Sequence, residues 1–287
     1  MDSLMAADSF AYTTFIPTQH FTTRDRELLQ LVNIVFLSGP MAFFGIIGNV
    51  INLIVFYQQG LNTNTNIGFF ALAIADLITL IYQAAWAVLA SLVFGGIHMN
   101  IEYVSVQFAI LALPKEGFAR NSCLITVLIT AERCLCIVFP QTVKEMITPK
   151  GARLVIVSIY LGTFLSGLPI LMNYRANWKF DKEMNSTILS IDFTGSSHLL
   201  QKVIYFIHAV SLIVSVGAVL VFTLILVLKL KQTSAWRVTA HIQQKDFLSK
   251  RDSSVMSMVV LIASILIVCF TPSVVLCIAT FAEPEFS

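Results

Sequence analysis

Six long stretches of this chain carry few charges, and that alone removes most folds from consideration. They run over residues 31–57, 67–94, 103–139, 151–173, 200–228 and 254–282. Crossing the hydrocarbon core of a bilayer as a helix takes about 20 apolar residues. Every stretch is long enough, and each is too long for a single strand. Backbone groups in lipid must find their partners within the protein, and a helix supplies them within one segment. The chain is 57% hydrophobic and 12% charged, whereas soluble domains carry about a quarter charged residues. A mean hydropathy of +0.82 points the same way. The expected fold class is an all-α membrane protein, a transmembrane helix bundle with lipid as its solvent.

The breaks between the stretches carry turn chemistry, as in Gln58-Gln59-Gly60, Asn62-Thr63-Asn64-Thr65-Asn66 and Thr148-Pro149-Lys150-Gly151. No repeat and no soluble domain is visible. Residues 1–30 are mixed polar and lack the basic start and apolar stretch of a cleavable signal peptide, so the first apolar run is expected to direct insertion. The domain reading is an outer N-terminal segment 1–30, a bundle 31–282 and an outer end 283–287. A net charge of +2, with no basic block interleaved with aromatics, gives no reason to expect a nucleic-acid partner. The cysteines, Cys123, Cys134, Cys136, Cys269 and Cys277, all fall in or beside apolar runs. No metal site and no outer disulfide is expected, and all five are taken as packing residues. Hydrolase, metalloprotease and P-loop patterns are absent, so the chain does not read as an enzyme.

Orientation follows the lysines and arginines. With the N-terminus outside, the connection 229–252 faces the cytoplasm and is basic, holding Lys229, Lys231, Arg237, Lys245, Lys250 and Arg251. The outer segments hold more acids than bases. The sequon Asn185-Ser186-Thr187 then also lies outside, which makes Asn185 a candidate for glycosylation. The expected location is the plasma membrane, multi-pass, with the N-terminus extracellular.

Polar residues within the spans invite a functional hypothesis. Span 1 holds Gly48-Asn49-Val50-Ile51-Asn52, and span 2 holds Leu72-Ala73-Ile74-Ala75-Asp76. Span 3 ends in Glu132-Arg133-Cys134, and span 6 holds Cys269-Phe270-Thr271-Pro272. Each is weak alone. In this order and at these depths they resemble the rhodopsin-like (class A) G-protein-coupled receptors, with six spans of a seven-helix fold. The run Ala131–Pro140, followed by Ile147-Thr148-Pro149-Lys150, is similar to invertebrate, particularly mollusc, chemosensory-type receptors.

The resemblance implies an extracellular small-molecule or peptide ligand and a heterotrimeric G protein as partners, with no cofactor. It implies that Arg133 couples to the G protein, with Glu132 beside it and Asp252 as a latch partner at the start of span 6. The plain alternative is an arginine snorkelling to the inner interface. Pro272, which removes a helical hydrogen bond, would be the pivot of span 6, with Phe270 as an aromatic plug where the family usually has tryptophan. Asn49, Asp76 and Ser122 would form a hydrated polar cluster, with a sodium ion at Asp76 left open; the bland reading is one protonated, buried aspartate. Lys115, Glu116 and Arg120 stand within two turns of span 3, and Lys115 lies at the depth where amine receptors carry an aspartate anchor. A cation there disfavours an amine and points to an anionic or zwitterionic ligand. The equal alternative is an internal ion pair, with Glu116 and Arg120 spaced i, i+4.

The chain departs from the family in places. Span 4 offers Ile159-Tyr160 near the depth of the usual tryptophan, and span 5 has no proline. The cysteines that usually tether the loop before span 5 to span 3 are missing. The sequence ends at Ser287, so a fragment without its seventh span is expected. Competing readings are a secondary transporter or channel, and a truncated, non-signalling receptor fragment. The lack of inverted internal symmetry speaks against a transporter.

Overall fold

The computed structural model describes residues 28–97, 99–139, 147–181, 185–193, 198–239, 257, 259–272 and 274–275. The segment 1–27, Asp252 and the end 283–287 lie outside the described residues. Helix α1 spans Leu28–Gln58, α2 Asn64–Phe94, α3 Tyr103–Val138 and α4 Pro149–Met172. A two-stranded hairpin follows, β1 Tyr174–Asp181 and β2 Ser186–Phe193, then α5 His198–Thr239 and a shorter apolar helix α6 Val259–Pro272. Helices α1 to α5 each contain a segment long and apolar enough to cross a membrane. They carry spans 1 to 5, and α6 lies within span 6. The chain is a multi-pass helical membrane protein.

The helix limits follow from local chemistry. Thr63 caps α2 by accepting the amide of Asn66 at 3.3 Å, and Thr148 caps α4 by accepting that of Gly151 at 3.2 Å. Gly96, at φ +79°, ends the turn after α2 in a conformation that favours glycine. Helices α1 and α3 each widen into a π-helical stretch, Val32–Ser38 and Gln107–Ala112, and each stretch ends two residues before a proline, Pro40 and Pro114. A proline ring clashes with the carbonyl four residues earlier and brings no N–H. The wider turn relieves that clash without ending the helix.

The outer surface, unlike that of a soluble protein, is as apolar as the interior. Phe43, Leu154 and Leu228 are exposed on the outside of the bundle, where lipid would cover them. Inside, Phe69, Leu72 and Ala75 of α2 meet Ile125 and Ile129 of α3, with Ile156, Leu226 and Val259 from α4, α5 and α6. A second cluster joins Cys123 of α3 to Val216 and Val219 of α5 and to Ala263 and Leu266 of α6. Helix α3 lies in both clusters, so residues along it are seen from several neighbours. Small residues permit close approach: a Cβ on Gly68 would meet Cγ1 of Ile129 at 2.9 Å.

Candidate functional site

At the C-terminal end of α3, Glu132 is buried and the side chain of Arg133 is 18% exposed. Arg133 Nη2 donates to Glu132 Oε1 at 2.8 Å and also to the hydroxyl of Thr65 in the first turn of α2. A guanidinium cannot shed its charge, so these acceptors fix where it rests. The start of α2 and the loop before it are also tied to the start of α4 and the residue leading into it. Asn64 Nδ2 donates to the carbonyl of Ile147 at 2.8 Å, and Arg153 of α4 donates to the carbonyl of Leu61 at 2.7 Å. Thr65 and Asn64 were missed by sequence reasoning. Their signal was present in Asn62-Thr63-Asn64-Thr65-Asn66, which reads as a turn, although a polar run at a helix start also supplies tertiary partners.

Midway along α3, Ser122 lies within electrostatic reach of the Asp76 carboxyl, while its hydroxyl donates to the carbonyl of Phe118 at 3.3 Å. Asn49 spends an amide hydrogen on Gly45 of its own helix, at 3.0 Å. Tyr160 enters from α4, within electrostatic reach of Asp76, and its hydroxyl donates to the carbonyl of Ala71 at 2.9 Å. The expected cluster is therefore drawn together at Asp76 and Ser122, with Tyr160 rather than Asn49 as its recorded neighbour. The three side-chain oxygens of Asp76 and Ser122 are too few for a cation shell by themselves, and among the described residues no group of three or more His, Cys, Asp or Glu could hold a metal.

Toward the N-terminal end of α3, Lys115 Nζ donates to Gln83 Oε1 at 3.3 Å and lies 4.5 Å from the ring centroid of Trp86. Glu116 Oε1 stands 3.6 Å away, on a side chain 57% exposed. An exposed pair of that length is weak, whereas a cation shielded over an indole gains from the ring's negative face. The pair weighed in the sequence joined Glu116 to Arg120; in the structure Glu116 pairs with Lys115, and α2 supplies the stronger partners of Lys115. Arg120, one turn deeper, lies within electrostatic reach of His208 on α5. Tyr82 stacks on Phe118, and Phe118 meets Tyr160, both at 6.5 Å between centroids. Gln83 and Trp86 escaped sequence reasoning because neither is charged; their spacing on one face of span 2 was the available sign.

On α6, Phe270 packs against the second apolar cluster, and helix is present on both sides of Pro272. Thr271 returns its hydroxyl to the carbonyl of Ile267 at 2.6 Å. The proposed partner of Arg133 there, Asp252, lies outside the described residues. Asn185 sits exposed at the hairpin turn with φ +45°, a conformation that asparagine tolerates well.

A probable G-protein coupled receptor of Caenorhabditis elegans is 27% identical over 151 residues, covering 52% of this chain and 35% of that protein. The matched region therefore spans about a third of the relative's length. The profile of the seven transmembrane receptors of the rhodopsin family matches residues 48–286, which take in every span after the first and the C-terminal part of that one. The chain belongs to the rhodopsin family of seven-transmembrane receptors.

Proposed function

We propose that the chain is a plasma-membrane receptor, N-terminus outside, that converts binding of an extracellular ligand into activation of a heterotrimeric G protein. The observation that carries this reading is the restraint of Arg133 at the inner end of α3 by Glu132 and Thr65. A ligand that favours a second bundle state releases that arginine as α6 tilts about Pro272, and the freed guanidinium faces the G protein. Asp252, at the foot of span 6, is the further acceptor that would hold Arg133 in the resting state. Asp76 and Ser122 hold a polar junction between α2 and α3 midway down the path.

The ligand contacts Lys115, Glu116 and Arg120. Two cations and one acid in this region favour an anionic or zwitterionic molecule, small or peptide, and disfavour a protonated amine. Asn185 is exposed on the same outer side and is the acceptor for glycosylation. Nucleotide exchange on purified heterotrimers tests the reading. Vesicles carrying the receptor should accelerate exchange over empty vesicles, and Arg133→Ala at equal protein should remove the acceleration. Equal exchange by both proteins would refute it.

A further inference from the structure

The rhodopsin-family loop before span 5 is usually tied to span 3 by a disulfide, and this chain has no cysteine in either place. The hairpin is nevertheless docked. One edge of β2 pairs antiparallel with β1, from Tyr174 opposite Phe193 to Asp181 opposite Ser186. The other edge meets the chain just before α3. Leu189 donates its amide to the carbonyl of Asn100 and accepts from the amide of Glu102, both at 2.8 Å, and Ile101 and Leu189 form a parallel bridge. Ile191 donates its amide to the hydroxyl of Ser105 at 3.2 Å. Three hydrogen bonds thus satisfy an edge that would otherwise be open.

Side chains lock the register. Asn177, Lys179, Ser190 and Asp192 share one face of the hairpin, because strand side chains alternate. Glu102 reaches that face. Its Oε2 accepts from the wholly buried Ser190, whose oxygen lies 3.0 Å from Asp192 Oδ1. Ser190 has one hydroxyl hydrogen for two carboxylates, so the second needs another donor. Lys179 is placed for this, with Nζ 2.5 Å from Asp192 Oδ1 and 4.0 Å from Glu102 Oε2, and Asn177 adds a bond to Asp192 at 3.0 Å. Glu102 also accepts from Ser105 at 3.1 Å, which ties the strand edge to the first turn of α3. The carboxylate of Glu102 joins helix, strand edge and hairpin face.

We propose that Glu102 is the positioning residue of a non-covalent clamp, a short β-pairing capped by Ser105, that holds the outer hairpin on the start of α3 in place of a disulfide. The clamp makes the outer loop a continuation of the helix that carries Lys115 and Arg120, so movement of one is passed to the other. Because it is built from hydrogen bonds, single side-chain changes open it while the hairpin's own β1–β2 ladder remains.

Hydrogen exchange of the receptor in lipid nanodiscs tests this. Glu102→Ala should speed exchange at the Leu189 and Ile191 amides about tenfold or more, the effect of losing bonds to a charged group. Amides of the buried part of α2 should keep their rates, which separates undocking from misfolding. The double substitution Ile101→Cys with Leu189→Cys, placed at the bridge, should form a disulfide under mild oxidation. On the Glu102→Ala background that bond should restore protection at Ile191, and reduction should remove it again. Unchanged exchange in Glu102→Ala, or failure of the two cysteines to join in the otherwise unaltered receptor, would overturn the clamp.

Discussion

Replacing Thr65 by valine keeps the shape of the side chain and removes the hydroxyl that accepts from Arg133. The magnitude follows from the surroundings. The arginine side chain is 18% exposed, and its bond to Glu132 Oε1 at 2.8 Å survives the change. What is lost is one hydrogen bond to a charged donor, about 1.5–3 kcal/mol, with the lower end fitting a side chain that water reaches. A loss of about 1.4 kcal/mol is tenfold in an equilibrium. A released state populated at about 1%, within the range of minor conformers, would rise to about 9%. Basal GTP-analogue binding, normalised to surface receptor, should therefore rise several-fold in Thr65→Val. Thr65→Ser retains the hydroxyl and should stay at the wild-type level. If both variants reach the surface and signal like wild type, Thr65 does not restrain Arg133, and the resting geometry proposed for the inner end of α3 is wrong.

Tyr160→Phe removes the bond to the Ala71 carbonyl while keeping the ring beside Phe118; thermal unfolding in detergent should show a loss of about 1 kcal/mol, and none would mean that the hydroxyl contributes nothing to packing of α4 on α2. Gly68→Ala drives a methyl into Ile129, which is only 3% exposed and cannot move aside, so it should destabilise by about 1–3 kcal/mol. Gly48→Ala has nothing within 4 Å and should be neutral or slightly stabilising in the same assay. The hairpin should respond to acid. Burial pushes the Asp192 carboxyl up, but bonds from Lys179, Asn177 and Ser190 outweigh it and hold it below the ordinary carboxylate value of 3.8. The bond to Asp192 in turn raises Lys179 above 10.5, against the effect of burial. A depressed acid contributes stability above its unfolded value and loses it as pH falls through the folded one. A raised lysine contributes below its unfolded value and loses it as pH rises through the folded one. Protection at 186–193, corrected for intrinsic exchange, should thus hold across neutral pH and fail below the ordinary carboxylate range. A midpoint near neutrality would contradict the Lys179–Asp192 account.

The architecture was legible because the bilayer imposes it. The fourth apolar stretch, 151–173, gave a helix within two residues of its observed limits, Pro149–Met172, since the Thr148 cap and the following proline mark its start. Span 5 was harder: α5 runs over His198–Thr239, far past 228. Hydropathy falls once Lys229 and Lys231 appear, yet a helix need not end where lipid does. The hairpin was invisible as an element, because the residues between spans 4 and 5 were read for charge and sequons rather than for alternation. At the sites, charged residues were found and neutral partners were not. Lys115 was identified, but Gln83 and Trp86 were not, and Arg133 was identified without Thr65. A formal charge in a span stands out in one dimension, while its acceptor is chosen by helix packing. Tyr160 follows the same rule: the sequence sets it near the depth of the family's usual tryptophan, and only packing shows its hydroxyl reaching the carbonyl of Ala71.

The central claim is that Arg133 transmits the signal once its resting acceptors let go, and the double variant Thr65→Val with Arg133→Gln tests it most directly. If the arginine is the transmitter, the raised basal nucleotide exchange of Thr65→Val should fall to that of membranes without receptor, at equal surface expression. Exchange that stays raised in the double variant would show that loosening α2 activates the G protein by a route that does not pass through Arg133.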